Sequence, residues 1–214
     1  MSLKKLLPLR LSLGLAAILS CSALATADDA AIASDATQTK PLEVGAALPD
    51  VAVKSVDGKP VSIASLHKDK PVVLVFFRGG WCPLCTRHTQ TLIQAYPAIK
   101  QLGAELVGIS PDDPQHSQTN VAKNSIPFPI FSDSELTATK AFGLAFQVDA
   151  PTLERYKGFG IDLEKASGYK HHALPIPAVY IVDKSGRIVF AHSDPNYRER
   201  LDTGKIVAAL QQMK

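Results

Sequence analysis

Cysteine is the scarcest chemically useful residue in this chain. Three occur in 214 residues: Cys21 near the N-terminus, then Cys82 and Cys85 close together. A disulfide-framework protein needs several spaced pairs, so that class is excluded. A structural zinc site needs a second ligand pair, and no cysteine follows Cys85. An excess of one charge is lacking too. The formal net charge of +3 equals what Lys4, Lys5 and Arg10 contribute at the extreme N-terminus. Beyond them acids and bases balance, and no basic block points to nucleic acid or to an anionic membrane surface. The apolar run Leu11 to Ser20 is too short to span a bilayer. There is no internal repeat, phosphate loop or nucleotide fingerprint, so nothing asks for an organic cofactor.

What is present begins with a targeting segment. Residues 1–27 combine a basic start, a short apolar run and small residues at Ala25-Thr26-Ala27, the layout of a secretory signal cleaved before Asp28. This predicts an exported protein, periplasmic or extracellular. A second reading takes Ile18-Leu19-Ser20-Cys21 as a lipoprotein box, with the protein lipid-anchored through Cys21. Residues 28–42, rich in Ala, Ser, Thr and Asp, read as a flexible leader. Residues 43–214 then fit one domain with a sizeable core.

The chemistry centres on Phe76 to His88. Val72 to Phe77 has the β-branched and aromatic content of a strand buried on both faces. Gly79-Gly80 permits a sharp turn, and Thr86 to Ile93 continues as a helix. Cys82 therefore falls at the first turn of that helix, where Pro83 is well tolerated. A helix N-terminus stabilises a thiolate. Cys85 lies one turn on, on the same face, so the two sulfurs can meet. Cys82 is expected to be the exposed nucleophile and Cys85 its resolving partner.

Phe77 to Cys85 resembles the thioredoxin active site, with Trp81-Cys82-Pro83-Leu84-Cys85 as its Trp-Cys-x-x-Cys. The chain around it is similar to peroxiredoxins of the alkyl hydroperoxide reductase/thiol-specific antioxidant superfamily. The residues are Val44-Gly45 with Pro49-Asp50, Ser110-Pro111-Asp112, Phe128-Pro129-Ile130-Phe131-Ser132-Asp133 and Ala141-Phe142-Gly143. The resemblance spans about Val44 to Ser193. It implies a thioredoxin-like α/β sandwich, a mixed central sheet with helices on both faces. It also implies a thiol peroxidase in which a Cys82 sulfenic acid condenses with Cys85 to a disulfide, recycled by a thioredoxin-like or other dithiol reductant. Ile176-Pro177 resembles the thioredoxin cis-proline loop, which packs against the cysteines. One departure stands out. Aligned on Cys82, the Thr and Pro positions of the family's Pro-x-x-x-Thr-x-x-Cys hold Gly79 and Val75. No arginine stands just before Ala178, so the donors that would bind a peroxide are unaccounted for.

Two other activities suit the same motif. One is a thiol–disulfide oxidoreductase acting on protein disulfides. The other is a copper-binding chaperone using His171-His172, although a solvated loop pair is the simpler reading of those residues. Arg78, just before the reactive turn, is a candidate thiolate support, and Trp81 a candidate shield of the disulfide. His88 reads as a surface residue.

The remaining elements are set by local pattern. Asp57-Gly58 marks a hairpin. Pro97 predicts a kink or stop near Tyr96 in the first helix. Asp113-Pro114 opens the next helix. Two short helices are expected around Gly158-Phe159-Gly160, a stretch expected to wall the substrate entrance. Thr203 to Met213 forms a closing helix.

Overall fold

The computed structural model describes residues 31–213. The proposed signal at residues 1–27, its cleavage point and the alternative Cys21 anchor lie outside the described residues. Nine strands and six α-helices are described. β1 (Ala52–Lys54) and β2 (Pro60–Ser62) form the Asp57-Gly58 hairpin, in antiparallel register with Val53 opposite Val61. β3 (Val72–Phe76) is central. It pairs in parallel with β4 (Glu105–Ser110) and antiparallel with β8 (Ala178–Val182). With β5 (Ile130–Ser132) and β9 (Ile188–Ser193) the sheet order is β2-β1-β5-β4-β3-β8-β9. β6 (Ala145–Gln147) and β7 (Ala173–Pro175) form a separate two-stranded sheet. The mixed sheet of a thioredoxin-like sandwich is thus as expected.

Alternation along β3 sorts the core. Val72, Leu74 and Phe76 face one apolar layer with Ile63, Phe142 and Tyr180. Val73, Val75 and Phe77 face the other, where Cys82 and Cys85 lie with Leu92, Ile99, Ile206 and Leu210. Every β3 residue is buried, and each such apolar side chain contributes about 1.5–3 kcal/mol. That burial makes the strand end that carries the cysteines a fixed platform. The second layer is covered by α1 (Pro83–Gln101) and α6 (Thr203–Gln212), which pack on each other.

Three expectations are corrected. α1 runs through Pro97 without ending near Tyr96. Pro97 faces solvent, where water can satisfy the carbonyl one turn back that loses its N–H partner. Residues 31–42 are pinned rather than flexible. Ala33 N–H donates to Ala145 O (2.9 Å), Gln147 N–H to Ala33 O (2.8 Å) and Leu42 N–H to Phe142 O (3.1 Å). The open edge of β6 and the end of the helix before it would otherwise leave these backbone groups unpaired. The Ile176–Pro177 bond is trans, as no cis peptide occurs among the described residues. Asp194 N–H donates to Pro177 O (3.2 Å), so the loop is tied down without a cis bond.

Asp113 caps α2 (Pro114–Asn124) by accepting from His116 N–H (2.7 Å). Asp133 accepts from Ala138 and Thr139 N–H (2.9 and 2.6 Å), fixing the start of α3 (Thr137–Ala141). α4 (Ala150–Gly158) and α5 (Leu163–Ser167) are the two expected short helices.

Candidate active site

β3 delivers the chain into the reactive turn. Phe77 N–H still donates to Ile109 O (3.0 Å); then Gly79 takes φ +146, and a Cβ there would strike the Trp81 indole. Only glycine fits. Cys82 is the N-cap of α1 with Pro83 in the first turn, and Thr86 N–H donates to Cys82 O (3.0 Å). Both cysteines are free thiols. Cys82 is 3 % exposed and Cys85 2 %, so the expectation of an exposed nucleophile is corrected. Residues 194–202, the segment joining β9 to α6, reach Cys85 through Arg200, a contact that sequence pattern did not connect with the cysteines.

That segment supplies two groups. Tyr197 lies against Arg78, whose guanidinium carbon is 4.2 Å from the ring centroid. Arg200 Nη2 donates to Cys85 Sγ at 3.5 Å. Its Nη1 donates to the carbonyls of Tyr197 and Glu199, which hold the guanidinium in place. Arg78 is 3 % exposed and also stacks on Trp81 and Tyr156 at 5.4 and 5.5 Å. Burial lowers its pKa, while the two cysteines pull the other way.

The two thiols are driven apart electrostatically. Cys82 is lowered to about 6, chiefly by the S–H of Cys85. The N–H of Cys85 and the positive charges of Arg78 and Arg200 add to this against the cost of burial. Cys85 is raised well above the ordinary thiol value, first by burial and then by the neighbouring Cys82. The arrangement is a thiolate at the helix terminus with a protonated partner one turn deeper.

Beneath the turn, Asp112 is buried and its Oδ2 accepts from Gly80 N–H at 2.6 Å. Burial raises its carboxyl to about 6. His88 is 8 % exposed rather than a surface residue, and burial lowers it to about 4; α6 and residues 194–202 enclose that face of α1. Pro177 sits beside the redox turn, because Phe76 pairs with Ala178 across β3 and β8. Trp81 contacts Tyr156 of α4 (ring centroids 5.7 Å). Gly160, Ile161 and Asp162 line a cavity with Gly80 and Trp81.

His171 and His172 are engaged elsewhere. The first has Nε2 3.0 Å from Ser134 O, the second Nε2 2.7 Å from Glu164 Oε1. No cluster of three or more metal-ligating side chains occurs among the described residues. Sequence reasoning missed Arg200, Tyr197 and Asp112. Asp112 had a signal in Ser110-Pro111-Asp112, whereas the other two reach the site only through tertiary folding.

A buried, electrostatically split cysteine pair at the strand–helix turn of this sheet defines a thiol-based redox enzyme. Residues 44–191 match the AhpC/TSA family. The chain is 30 % identical over 181 residues to Peroxiredoxin Q, chloroplastic, of Triticum aestivum, covering 85 % of this chain and 73 % of that protein. A Populus jackii Peroxiredoxin Q, chloroplastic, is 37 % identical over 100 residues, 47 % of this chain and 46 % of that one. The fold is similar to peroxidoxin BcpB of Mycobacterium tuberculosis. The TM-score is 0.63 and the identity 18 %, with 81 % of this chain and 99 % of that one covered. The chain belongs to the AhpC/TSA family, and it is a peroxiredoxin, a thiol-dependent peroxidase.

The expected compartment is corrected by the same relatives. Those in wheat and poplar are chloroplastic, against the expected periplasm or extracellular space. Basic charge with a short apolar run marks a targeting segment without fixing its address.

Proposed function

We propose that Cys82 is the peroxidatic cysteine and Cys85 the resolving one. The observation that carries this is the placement of the pair: Cys82 N-caps α1, and Cys85 lies one turn deeper beside Arg200, which lowers the Cys82 thiol while burial raises that of Cys85. Cys82 sulfur attacks the O–O bond and takes one oxygen as a sulfenic acid, while the other leaves as water or an alcohol. Arg78 and Arg200 supply the positive charge beside the sulfurs, where the family motif has Thr and Pro that this chain lacks. Cys85 then condenses with the sulfenic acid, water leaves, and a disulfide forms. A dithiol reductant of thioredoxin type restores both thiols by exchange. The short connection within one helical turn lets the disulfide close locally.

Peroxide consumption by single variants tests the order of events. Cys82→Ser abolishes it. Cys85→Ser reacts once, leaves a sulfenic acid that dimedone traps on Cys82, and fails only in turnover. The reduced protein is oxidised by stoichiometric peroxide much faster than free cysteine and reduces insulin disulfides poorly. Slow peroxide oxidation with rapid insulin reduction would sink this assignment and favour the disulfide oxidoreductase. A dimedone adduct on Cys85 of the Cys82→Ser protein would reverse the two roles.

A further inference from the structure

A cavity of about 250 Å³ lies between the first turns of α1 and residues 198–203. Its walls carry three guanidiniums, Arg87, Arg198 and Arg200, around the apolar side chains of Leu84 and Leu201. None of the three is ion-paired among the described residues. The one carboxylate on the lining, Asp202, instead accepts from Gly204 N–H at 2.7 Å as the cap of α6. His88, also on the lining, has its pKa lowered to about 4 and is neutral near pH 7. Three positive charges thus share one small cavity with a single carboxylate, Asp202, which is paired with none of them.

Crowding like charges is unfavourable unless a counter-charge arrives. The planar guanidinium suits a carboxylate, which it binds through two parallel hydrogen bonds. The apolar residues beside the arginines suit a hydrocarbon group attached to that carboxylate. The cavity also abuts the reactive pair. Arg200 is both its wall and the donor to Cys85 Sγ at 3.5 Å. A narrower void shares His88, Arg200 and Leu201 with it and extends to Phe76 and Pro177, beside the redox turn. With both cysteines buried, a peroxide larger than hydrogen peroxide needs a surface beside them that holds it.

We propose that this cavity binds the carboxylate of an anionic organic hydroperoxide, with Arg87 and Arg198 as specificity-determining residues. The inference rests on the peroxidase reading above and names the substrate class that reading leaves open. With the carboxylate held, the distal hydroperoxide oxygen is transferred to Cys82 sulfur. The O–O bond breaks as the S–O bond forms, sulfur is oxidised, and the alkoxide takes up a proton to leave as the alcohol. Hydrogen peroxide needs none of these contacts.

The test compares cumene hydroperoxide bearing a para-carboxylate, its methyl ester, and hydrogen peroxide. Single-turnover rates are measured at low ionic strength on the wild type, Arg87→Gln, Arg198→Gln and the double variant. Both arginines are exposed, and circular dichroism and thermal unfolding check that each variant folds. The wild type is expected to prefer the acid to the ester about tenfold in kcat/KM, equivalent to about 1.4 kcal/mol. Each single variant should lower that preference to about threefold or less, and the double variant should abolish it. Equal rates for acid and ester in the wild type overturn the proposal, as does a preference that survives in the double variant. A charge preference appearing only when the disulfide is reduced by an anionic dithiol would also overturn it, by assigning the arginines to the reductant. Failure of the wild type to consume hydrogen peroxide would be a different result, because it removes the peroxidase reading itself.

Discussion

Cys85→Ala isolates the interaction on which the chemistry depends most. In the native protein Cys82 sits about three pKa units below the ordinary thiol value of 9.0, worth about 4 kcal/mol at about 1.4 kcal/mol per unit. The largest contribution is the Cys85 S–H, ahead of the Cys85 N–H and of Arg78 and Arg200. Alanine removes the S–H and keeps the rest, so the Cys82 midpoint should rise by about 1–2 units, the share a hydrogen bond to a charged group supplies. At pH 7 the thiolate fraction then falls from about nine-tenths to about one quarter. A more basic thiolate is also a better nucleophile, which offsets most of that loss in rate. Titration by thiolate ultraviolet absorbance is therefore the assay, and it needs no reagent to reach a buried sulfur. A wild-type midpoint near 9, or one that Cys85→Ala leaves in place, would refute the electrostatic account. The linkage has a definite sign as well. A depressed thiol stabilises the fold above its unfolded pKa, and that contribution is lost as pH falls through about 6.

Arg200→Gln should raise the Cys82 midpoint by less than Cys85→Ala, because its charge is the smallest of the named contributions; a larger shift in the same titration would contradict the order of causes. Asp112→Asn keeps an acceptor for Gly80 N–H but removes a carboxyl that burial holds up at about 6; in urea unfolding the wild type should therefore lose up to about 3 kcal/mol relative to the variant as pH rises from about 4 to about 6. Trp81 is the single tryptophan; in the Cys82→Ser background, which removes the neighbouring thiol that also titrates near 6, its fluorescence should show a step near pH 6 from Asp112 that Asp112→Asn abolishes. Gly79→Ala should destabilise the reduced protein by about 1–3 kcal/mol, since φ +146 and the Trp81 indole both oppose a Cβ; unchanged thermal unfolding would show that the turn relaxes. His88 stays neutral in the fold down to about pH 4 but protonates near 6.5 when unfolded. Stability relative to His88→Leu should therefore fall by up to about 3 kcal/mol as pH drops from about 6.5 to about 4, read from paired denaturation curves.

The parts of the fold legible in sequence are those written in local pattern. β3 announces itself by six consecutive apolar residues, and the Asp57-Gly58 hairpin, the cap at Asp113 and the helices around Gly158 to Gly160 arise from short-range chemistry. The cysteine pair was legible for the same reason, because three residues of spacing on a helix fix a shared face. The errors come from contacts that sequence pattern does not encode. Residues 31–42 have no apolar period, yet they are held by hydrogen bonds to β6 and to Phe142 and Gly143. His88 follows the cysteines like a surface residue until α6 and residues 194–202 close over it.

Arg200 carries the most instructive of these lessons. The family's peroxide-binding donors were missing at Gly79, at Val75 and before Ala178, and sequence alone offered Arg78 as a candidate source of positive charge. The charge comes from Arg78, held in an aromatic stack by Trp81, Tyr156 and Tyr197, and also from Arg200, 115 residues beyond Cys85. Neither arginine has a carboxylate partner among the described residues. A salt bridge would have spent their charge on another side chain; left unpaired and partly desolvated, it remains directed at the sulfurs. The same segment that brings Arg200 to Cys85 also brings Tyr197 to Arg78, so the connection between β9 and α6 adds positive charge to the stabilisation that the Cys85 S–H chiefly provides. The arginines on its outer side are where an anionic substrate would first be held.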